Sequence, residues 1–476
     1  MGESERFMSA PIPAPLPSPA SRASRPSLRQ RVLRAGSWTL GGHVAIQALR
    51  LGGNLVMTRL LVPEMFGVMA IAFVFMTGLT LFSDMGISQN IVQSRRGSDP
   101  VFLHTAWAVQ ILRGVLIFFL ALLASLGVHL AAVWQWTAAG TVYADPRLPQ
   151  VLAVLSVSAL IGGFDSNRFS LARRNLELGQ ITRIEMACPL VSLLVMVLWA
   201  GYDRSIWALV AGGVAGALTR MLLSHWWLAG PADRWVWDRA ALAELIGFGK
   251  WVFLSSILGF LLMNGDRLLL GGLVPADVLG LYSVAFMMVS AVQQALQKLV
   301  GSVAFPAFSE VVRSEPARLR DTYYRFRLPV DALVLFSAGS LFVLGKPIVA
   351  LLYDSRYLGA GDMLSILGLG LVATRYDLAE QCYLALGQPR LLTLQNGIRL
   401  VSLYLLIPLG FHLFGLSGAL WGIVLSMFMV VPFALVIKSG LGLLDARREV
   451  WLLPLFPVGC GVGKLVIWAM FGRWAY

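Results

Sequence analysis

Apolar segments long enough to cross a membrane follow one another along most of this chain. A bilayer core is about 30 Å thick and needs roughly 20 apolar residues per helix. Thirteen such segments can be placed, at 36–58, 66–92, 103–128, 150–168, 182–201, 205–228, 247–272, 278–303, 328–352, 361–387, 391–412, 415–437 and 451–471. Lys464 and two prolines interrupt the last segment. Two alternatives therefore remain for it: a thirteenth span, or a segment that does not cross the membrane. The pattern predicts an all-α polytopic membrane protein.

The composition agrees with this prediction. Apolar residues make up 57% of the chain and charged residues 13%, whereas a soluble domain carries about 25% charged residues. The net charge of +13 would also suit a nucleic-acid-binding protein. Basic cytoplasmic loops alone make membrane proteins positive, however, and the sequence holds no zinc spacing or RNA-binding motif. We therefore expect no nucleic-acid partner.

The distribution of arginines predicts the orientation. Residues 1–33 are rich in Pro, Ser and Arg and lack the apolar core of a signal peptide, so we interpret them as a disordered cytoplasmic tail. With this tail inside, alternate loops should be basic. Alternate loops are indeed basic. Examples are the loops that contain Arg95 and Arg96, Arg173 and Arg174, and Arg447 and Arg448.

One short sequence occurs twice, as "LVPEMFGVMAIAF" from Leu61 and as "LVPADVLGLYSVAF" from Leu273. Each copy places a proline in a turn and a glycine early in the next helix. The copies are six predicted spans apart, which is typical of parallel repeats related by an axis along the membrane normal; chance similarity of two turns is the alternative. The repeat predicts an N-lobe at 34–230, an inner linker at 231–246, a C-lobe at 247–438 and a C-terminal segment at 439–476.

Polar residues inside the first predicted span form a stripe. His43, Gln47, Arg50 and Asn54 are spaced by four, three and four residues, so they share one helix face. Polar groups inside a membrane need water or partners. The stripe therefore predicts either a helix that lines a solvent-filled cavity or a helix that hydrogen-bonds to its neighbours in a sealed core.

Further polar residues occur deep in other predicted spans. Guanidinium groups bind phosphate in bidentate fashion and stay charged, and amides suit hydroxyl-rich groups. Carboxylates in such a cavity could carry a proton or sodium ion, or hold the arginines in place. The candidate substrate-binding set is His43, Gln47, Arg50, Asn54, Arg113, Asn264, Arg267 and Arg375, and the candidate ion-coupling set is Asp266, Asp377 and Glu380.

The sequence shows no catalytic constellation. It has no GxSxG, P-loop or HExxH motif. The three cysteines lie in apolar segments, and we interpret them as small hydrophobic residues; they are Cys188, Cys382 and Cys460. We therefore expect no enzyme activity, no cofactor and no metal site.

Four stretches resemble the polysaccharide transporter branch of the multidrug/oligosaccharidyl-lipid/polysaccharide exporter superfamily. They are "TRLLVPEMFGVMAIAFVFMTGLTLFSDMGISQNIVQ", "NGDRLLLGGLVPADVLGLYSVAF", "FPAFSEVVRSEPARLRDTYYRF" and "LLYDSRYLGAGDMLSILGLG". The resemblance runs from about Gly36 to Lys438. It implies two six-helix lobes around a central cavity and 12–14 transmembrane helices in all.

The resemblance also implies a function. Members of this branch flip polyprenyl-diphosphate-linked oligosaccharides across the bacterial inner membrane by alternating access, for exopolysaccharide, capsule or O-antigen synthesis. Lipid-linked oligosaccharide, membrane lipid, a polysaccharide polymerase and chain-length proteins are the implied partners. The main alternative is a multidrug/cation antiporter of the same superfamily, whose cavity should be acidic and aromatic. A membrane-bound polymerase or ligase is a third reading, but such enzymes carry large outer loops.

Overall fold

The computed structural model describes residues 28–83 and 86–472, and within that part of the chain every regular element is helical. The side chain of His43 and most of the predicted tail lie outside the described residues. The helices are α1 (Leu28–Leu60), α2 (Pro63–Phe82), α3 (Ile87–Gln93), α4 (Pro100–Val133), α5 (Arg147–Gly163), α6 (Arg168–Arg174), α7 (Leu178–Tyr202), α8 (Trp207–Trp226), α9 (Arg239–Gly271), α10 (Ala276–Ser314), α11 (Leu319–Leu352), α12 (Gly359–Leu369), α13 (Leu371–Thr374), α14 (Asp377–Ala385), α15 (Pro389–Phe428), α16 (Val430–Gly440), α17 (Ala446–Val450) and α18 (Leu455–Phe471).

Helices occupy all thirteen apolar segments predicted from the sequence. Eight described helical stretches are long and apolar enough to cross a membrane, and α5 with α6 becomes a ninth if this pair, bent by 60°, is one span. The count is lower than thirteen partly because one stretch, Pro389–Gly440, covers two predicted spans. The protein is an all-α, multi-span membrane protein, as predicted.

The chain reverses direction inside α15. Phe414 and Gly415 leave the helical conformation, and Gly415 has a φ of 61°, a region that favours glycine. Gly410 and Gly418 then face each other so closely that a Cβ on either would overlap the carbonyl oxygen of the other. The two legs therefore run side by side as a hairpin, which accounts for the two predicted spans at 391–412 and 415–437.

The repeated sequence forms the contact between α2 and α10. A Cβ at Gly67 would overlap the carbonyl oxygen of Ala276, and a Cβ at Gly280 would overlap that of Pro63. Each glycine thus packs on the first residue of the other helix. This reciprocity is the arrangement expected of two copies related by a two-fold axis.

The end of the bundle that carries these two turns, called the turn end below, is joined by hydrogen bonds between the two halves of the chain. Tyr357 donates its hydroxyl to the carbonyl of Leu61 at 2.9 Å, and Tyr143 donates to the carbonyl of Leu268 at 2.8 Å. Arg356 Nη2 donates to the carbonyl of Thr58 at 3.1 Å. The halves are therefore held together at this end.

Arg356 is fixed in place by a carboxylate. Its guanidinium pairs with Asp354 Oδ2 at 2.5 Å in the short connection between α11 and α12. Hydrogen bonds from Arg356 hold the pKa of Asp354 below its usual value. The Asp354 carboxylate is therefore charged at neutral pH and keeps Arg356 in position to reach α1.

At the opposite end, called the arginine-rich end below, the start of α9 packs on the first half of the chain. Ser94 Oγ donates to Glu244 Oε1 at 2.6 Å, and Arg96 forms a 3.4 Å ion pair with Asp238. Asp238 also caps α9, since its side chain accepts from the backbone N–H of Ala241. The predicted inner linker, 231–246, therefore contains the first turns of α9.

Candidate binding cavities

The two halves of the chain enclose a cavity of about 550 Å³, called the central cavity below. Helix α1 contributes Arg50 and Asn54, and α9 contributes Asn264 and Arg267. These four residues were all predicted from the sequence to bind substrate. The structure brings them together from opposite halves of the chain.

The charge of the central cavity is positive. Among the residues that the structure describes, its lining contains two arginines and no Asp or Glu. Arg50 is exposed, and its Nη1 is 3.5 Å from Gln47 Oε1. Arg267 lies 4.1 Å from the ring centroid of Phe286, and its Nη1 is 3.4 Å from Asn264 Oδ1. Two guanidinium groups without carboxylates in the wall suit an anionic ligand.

The remaining walls of the central cavity are mostly apolar. They include aromatic and thioether side chains from α2, among them Phe66, Met69 and Phe73, and Met287 from α10. Met side chains adapt to irregular apolar shapes. The cavity therefore combines a small number of cationic and amide groups with an apolar surface, which suits a ligand that is itself amphipathic.

The polar stripe on α1 lies partly along the central cavity. Arg50 and Asn54 line the central cavity, and Gln47 lies one turn away, beside Arg50. Asn54 Oδ1 accepts a 3.0 Å hydrogen bond from the hydroxyl of Tyr353 at the end of α11. One stripe residue thus also joins the two halves of the chain.

A second cavity, of about 630 Å³, opens in the first half of the chain. It is called the vestibule below, and it shares Thr77 with the central cavity. Arg113 lies here rather than in the central cavity; its Nε donates to Ser83 Oγ at 3.1 Å and its Nη2 to the Thr80 carbonyl at 2.6 Å. Two further arginines, Arg173 and Arg220, line the same space.

Arg375 lies in a buried ion cluster and does not line any of the cavities described here. Its side chain is 3% exposed, and its Nη2 pairs with Asp331 at 2.6 Å. Asp331 also pairs with Arg327, and Arg327 and Lys438 both contact Glu449. The sequence analysis assigned Arg375 to the cavity because it lies within a predicted span. Its partner, Asp331, lies on α11 and could not be identified from the spacing of residues around Arg375.

The three candidate coupling carboxylates do not lie together. Asp266 is buried and accepts a hydrogen bond from the hydroxyl of Tyr282. Asp377 and Glu380 line a separate cavity of about 220 Å³ in the second half of the chain. Gln395 Nε2 donates to Glu380 Oε1 at 2.6 Å.

Sequence reasoning missed two of the vestibule arginines. Arg220 lies within the predicted span 205–228, so its charge in an apolar segment was a usable signal. Arg173 was interpreted only as a cytoplasmic loop charge. Its approach to Arg220 depends on the 60° bend between α5 and α6, which no local pattern specifies.

The family of this protein is shown by comparison with known sequences. The family described as "Polysaccharide biosynthesis protein" matches residues 56–362, more than half of the chain. The protein therefore belongs to this polysaccharide biosynthesis family. The fold and the apolar helices define it more generally as a multi-span membrane protein.

Two relatives illustrate the similarity. The lipopolysaccharide biosynthesis protein WzxC of Escherichia coli is 23% identical over 335 residues, which cover 70% of this chain and 65% of WzxC. The succinoglycan biosynthesis transport protein ExoT of Rhizobium meliloti is 22% identical over 340 residues, which cover 71% of this chain and 66% of ExoT. The match thus spans slightly less than two thirds of either relative.

Solved structures show the same fold at low identity. Lipid II flippase MurJ, in an inward closed conformation, has a TM-score of 0.63 at 12% identity and covers 93% of this chain and 100% of its own. An inward-facing multidrug resistance transporter of the MATE family has a TM-score of 0.62 at 14% identity and covers 90% of this chain and 96% of its own. The predicted fold class is therefore confirmed.

Proposed function

We propose that this protein is a flippase that moves polyprenyl-diphosphate-linked oligosaccharide across the bacterial inner membrane. One observation carries the proposal. Arg50 and Arg267 come from opposite halves of the chain and line one cavity, and no carboxylate occurs in the part of its wall that the structure describes. Guanidinium groups bind phosphate oxygens in bidentate fashion, so two of them in one cavity wall are suited to a diphosphate.

The rest of the central cavity fits the remainder of such a substrate. Asn54 and Asn264 offer amide donors and acceptors to the first sugar. Phe66, Met69 and Phe73 offer an apolar surface to the first isoprene units of the lipid. A diphosphate joins the lipid to the sugar, so a cavity that contains arginines, amides and an apolar surface matches the linkage.

The closure at the turn end supports an alternating-access mechanism. Hydrogen bonds and the α2–α10 contact join the halves there. In the proposed cycle the N-lobe, 34–230, and the C-lobe, 247–438, separate at the turn end and close at the arginine-rich end. The cavity arginines would then move from one leaflet to the other without leaving their helices.

The multidrug/cation antiporter is the main alternative, since a multidrug transporter shares the fold. A cavity that binds organic cations needs carboxylates or a cluster of aromatic rings. The described residues of the central cavity wall instead include two arginines and no Asp or Glu. Like-charge repulsion in this space disfavours a cationic substrate.

Substitution of either cavity arginine tests the proposal. Arg50→Gln and Arg267→Gln should slow flipping of a fluorescent polyprenyl-diphosphate-linked sugar in proteoliposomes. A hydrogen bond to a charged group contributes about 1.5–3 kcal/mol, which corresponds to a loss of roughly tenfold to hundredfold. The matched control is Arg183→Gln on α7, an exposed arginine that is not part of either cavity wall.

Protein amount and unfolding temperature should be unchanged in all three variants, because neither Arg50 nor Arg267 forms a buried ion pair with a residue that the structure describes. Unchanged flipping in both cavity variants, with flipping present in the native protein, would contradict the proposal. Export of a cationic dye that persists in both variants would support the antiporter instead.

A further inference from the structure

We infer that the hydrogen bond between Asn54 and Tyr353 makes opening of the turn end depend on a sugar hydroxyl of the substrate. Tyr353 is then a positioning residue, because it acts on the ligand only through Asn54. The inference rests on the proposed function. It adds which part of a lipid-linked sugar releases the closed turn end: a hydroxyl group and not the diphosphate.

Side chains from the connection between α11 and α12 hold the end of α1 and the turn that follows it. They are Tyr353, Arg356 and Tyr357, and their hydrogen bonds to the first half of the chain are called the clasp below. Tyr353 donates its hydroxyl to Asn54 Oδ1 at 3.0 Å. The other two side chains donate to backbone carbonyls of residues 58, 59 and 61. The clasp therefore joins opposite halves of the chain.

Asn54 is the part of the clasp that faces the ligand. It lines the central cavity beside Arg50, one helical turn before the carbonyl of Thr58 that accepts from Arg356. Tyr353 is 6% exposed, so its hydroxyl is covered by the protein and reaches the cavity wall through Asn54. A ligand in the central cavity can therefore act on the clasp through a single amide group.

Opening of the turn end removes a donor from Asn54. The Tyr353 hydroxyl is the donor in this bond and the amide oxygen of Asn54 is the acceptor. Because the two residues belong to opposite halves of the chain, separation of the halves breaks the bond. An amide oxygen that loses its donor while a ligand fills the space beside it is left unsatisfied, which opposes opening.

The parts of the proposed substrate differ in their ability to replace the lost donor. A sugar hydroxyl donates hydrogen bonds, whereas a diphosphate diester offers only acceptor oxygens. A ligand shifts a conformational equilibrium only through its different affinities for the two states. A sugar beside Asn54 therefore favours the open turn end, and a lipid diphosphate without a sugar does not. The protein would then flip carriers that bear a glycan and retain bare carriers.

The test measures opening with spin labels on opposite halves of the chain. The labels are attached at Tyr202→Cys, at the end of α7, and Phe414→Cys, in the α15 hairpin; these side chains are 95% and 76% exposed, so little packing is lost. The native cysteines are replaced by serine. Double electron–electron resonance on the full-length chain in nanodiscs gives the ratio of open to closed distances. The ligands are farnesyl-diphospho-glucose and farnesyl methyl diphosphate, two diesters of equal charge, of which only the first has hydroxyls.

In the native protein, we expect saturating farnesyl-diphospho-glucose to raise the open-to-closed ratio about tenfold and the methyl diester to leave it unchanged. In Tyr353→Phe the two ligands should give the same ratio, because Asn54 has no donor to lose. The matched control is Tyr143→Phe, which removes the same atom from a bond to the Leu268 carbonyl at the same end. This control should keep the difference between the ligands. Asn54→Ala, which should also abolish the difference, is the second variant if the unfolding temperature of Tyr353→Phe is lowered.

The inference is overturned if the two ligands, both bound, give the same ratio in the native protein. It is also overturned if Tyr353→Phe keeps the difference, or if Tyr143→Phe loses it as completely. Binding measured by microscale thermophoresis separates these outcomes from failure of the proposed function. If neither ligand binds, or if Arg50→Gln and Arg267→Gln do not weaken binding, the diphosphate site is wrong and the inference fails with it.

Discussion

At the scale of single residues, the buried ion cluster illustrates how costly charges are retained inside the protein. Arg327, Lys438 and Arg375 face two carboxylates, Asp331 and Glu449, and all five side chains are at most 8% exposed. The cluster ties α17 to α11 and α16. Such pairs are weak net contributors to stability, yet removing one partner leaves an uncompensated buried charge.

Glu449→Gln should therefore destabilise the protein strongly. Breaking a buried ion pair costs about 3–5 kcal/mol, and here one carboxylate contacts both Arg327 and Lys438. The matched control is Asp321→Asn, whose partner is Arg448 and whose side chain is 65% exposed. Surface pairs contribute about 0–1 kcal/mol, so the control should change little. Thermal unfolding in detergent measures both, and equal unfolding temperatures would show that the cluster does not hold α17.

At the scale of helices, the α2–α10 contact determines how closely the two halves approach. Gly67 and Gly280 allow each backbone to touch the other. The obstructing atoms are carbonyl oxygens, which cannot rotate away as a flexible side chain would. A larger residue at either position therefore requires the helices to separate.

Gly67→Ala should weaken closure at the turn end. The reporter is Met69→Cys in the central cavity, in a background with the three native cysteines replaced by serine. A membrane-impermeant thiol reagent added from the turn-end side should label it faster in Gly67→Ala. The control is Gly127→Ala on α4, where a Cβ meets nothing within 4 Å.

Alanine in a helix is normally favoured over glycine by about 0.5–1 kcal/mol. Faster labelling in Gly67→Ala but not in Gly127→Ala would therefore result from the lost α2–α10 contact and not from a change in helix propensity. Equal labelling rates in the two variants would show that the α2–α10 contact does not control access.

At the scale of the whole molecule, the contacts at the turn end mean that the proposed flippase would have to change shape to release a ligand on that side. Any uphill transport then needs a source of free energy. The candidate ion site is the cavity that contains Asp377 and Glu380, since Asp266 is already bonded to Tyr282. We propose that these two carboxylates couple flipping to a proton or sodium gradient.

Asp377→Asn should then remove the effect of an ion gradient. In proteoliposomes, the native protein should flip a fluorescent lipid-linked sugar several-fold faster when a proton or sodium gradient is applied. Asp377→Asn should flip at the rate seen without a gradient. If gradients have no effect on the native protein and Asp377→Asn is equally fast, polymerisation of the product has to drive the flip and the carboxylates have another role.

The amino-acid sequence by itself determined that the chain forms helices and that these helices lie in a lipid bilayer. Segments of about 20 apolar residues have to be helical in lipid, because no water is present to satisfy an exposed backbone. The helical spacing of Arg50 and Asn54 also placed both on one face of α1, and the structure places both in one cavity wall. These are local properties, so a single stretch of chain contains all the information they need.

The tertiary structure decided which polar residues meet. Arg50 and Arg267 share a cavity although they lie far apart in the chain, and Arg113 lines a different one. Arg375 resembled them in sequence, yet it pairs with Asp331 on another helix. A guanidinium in an apolar segment must find water, a ligand or a carboxylate. Which of the three it finds depends on the helix packed against it, and that packing depends on side chains from the entire chain.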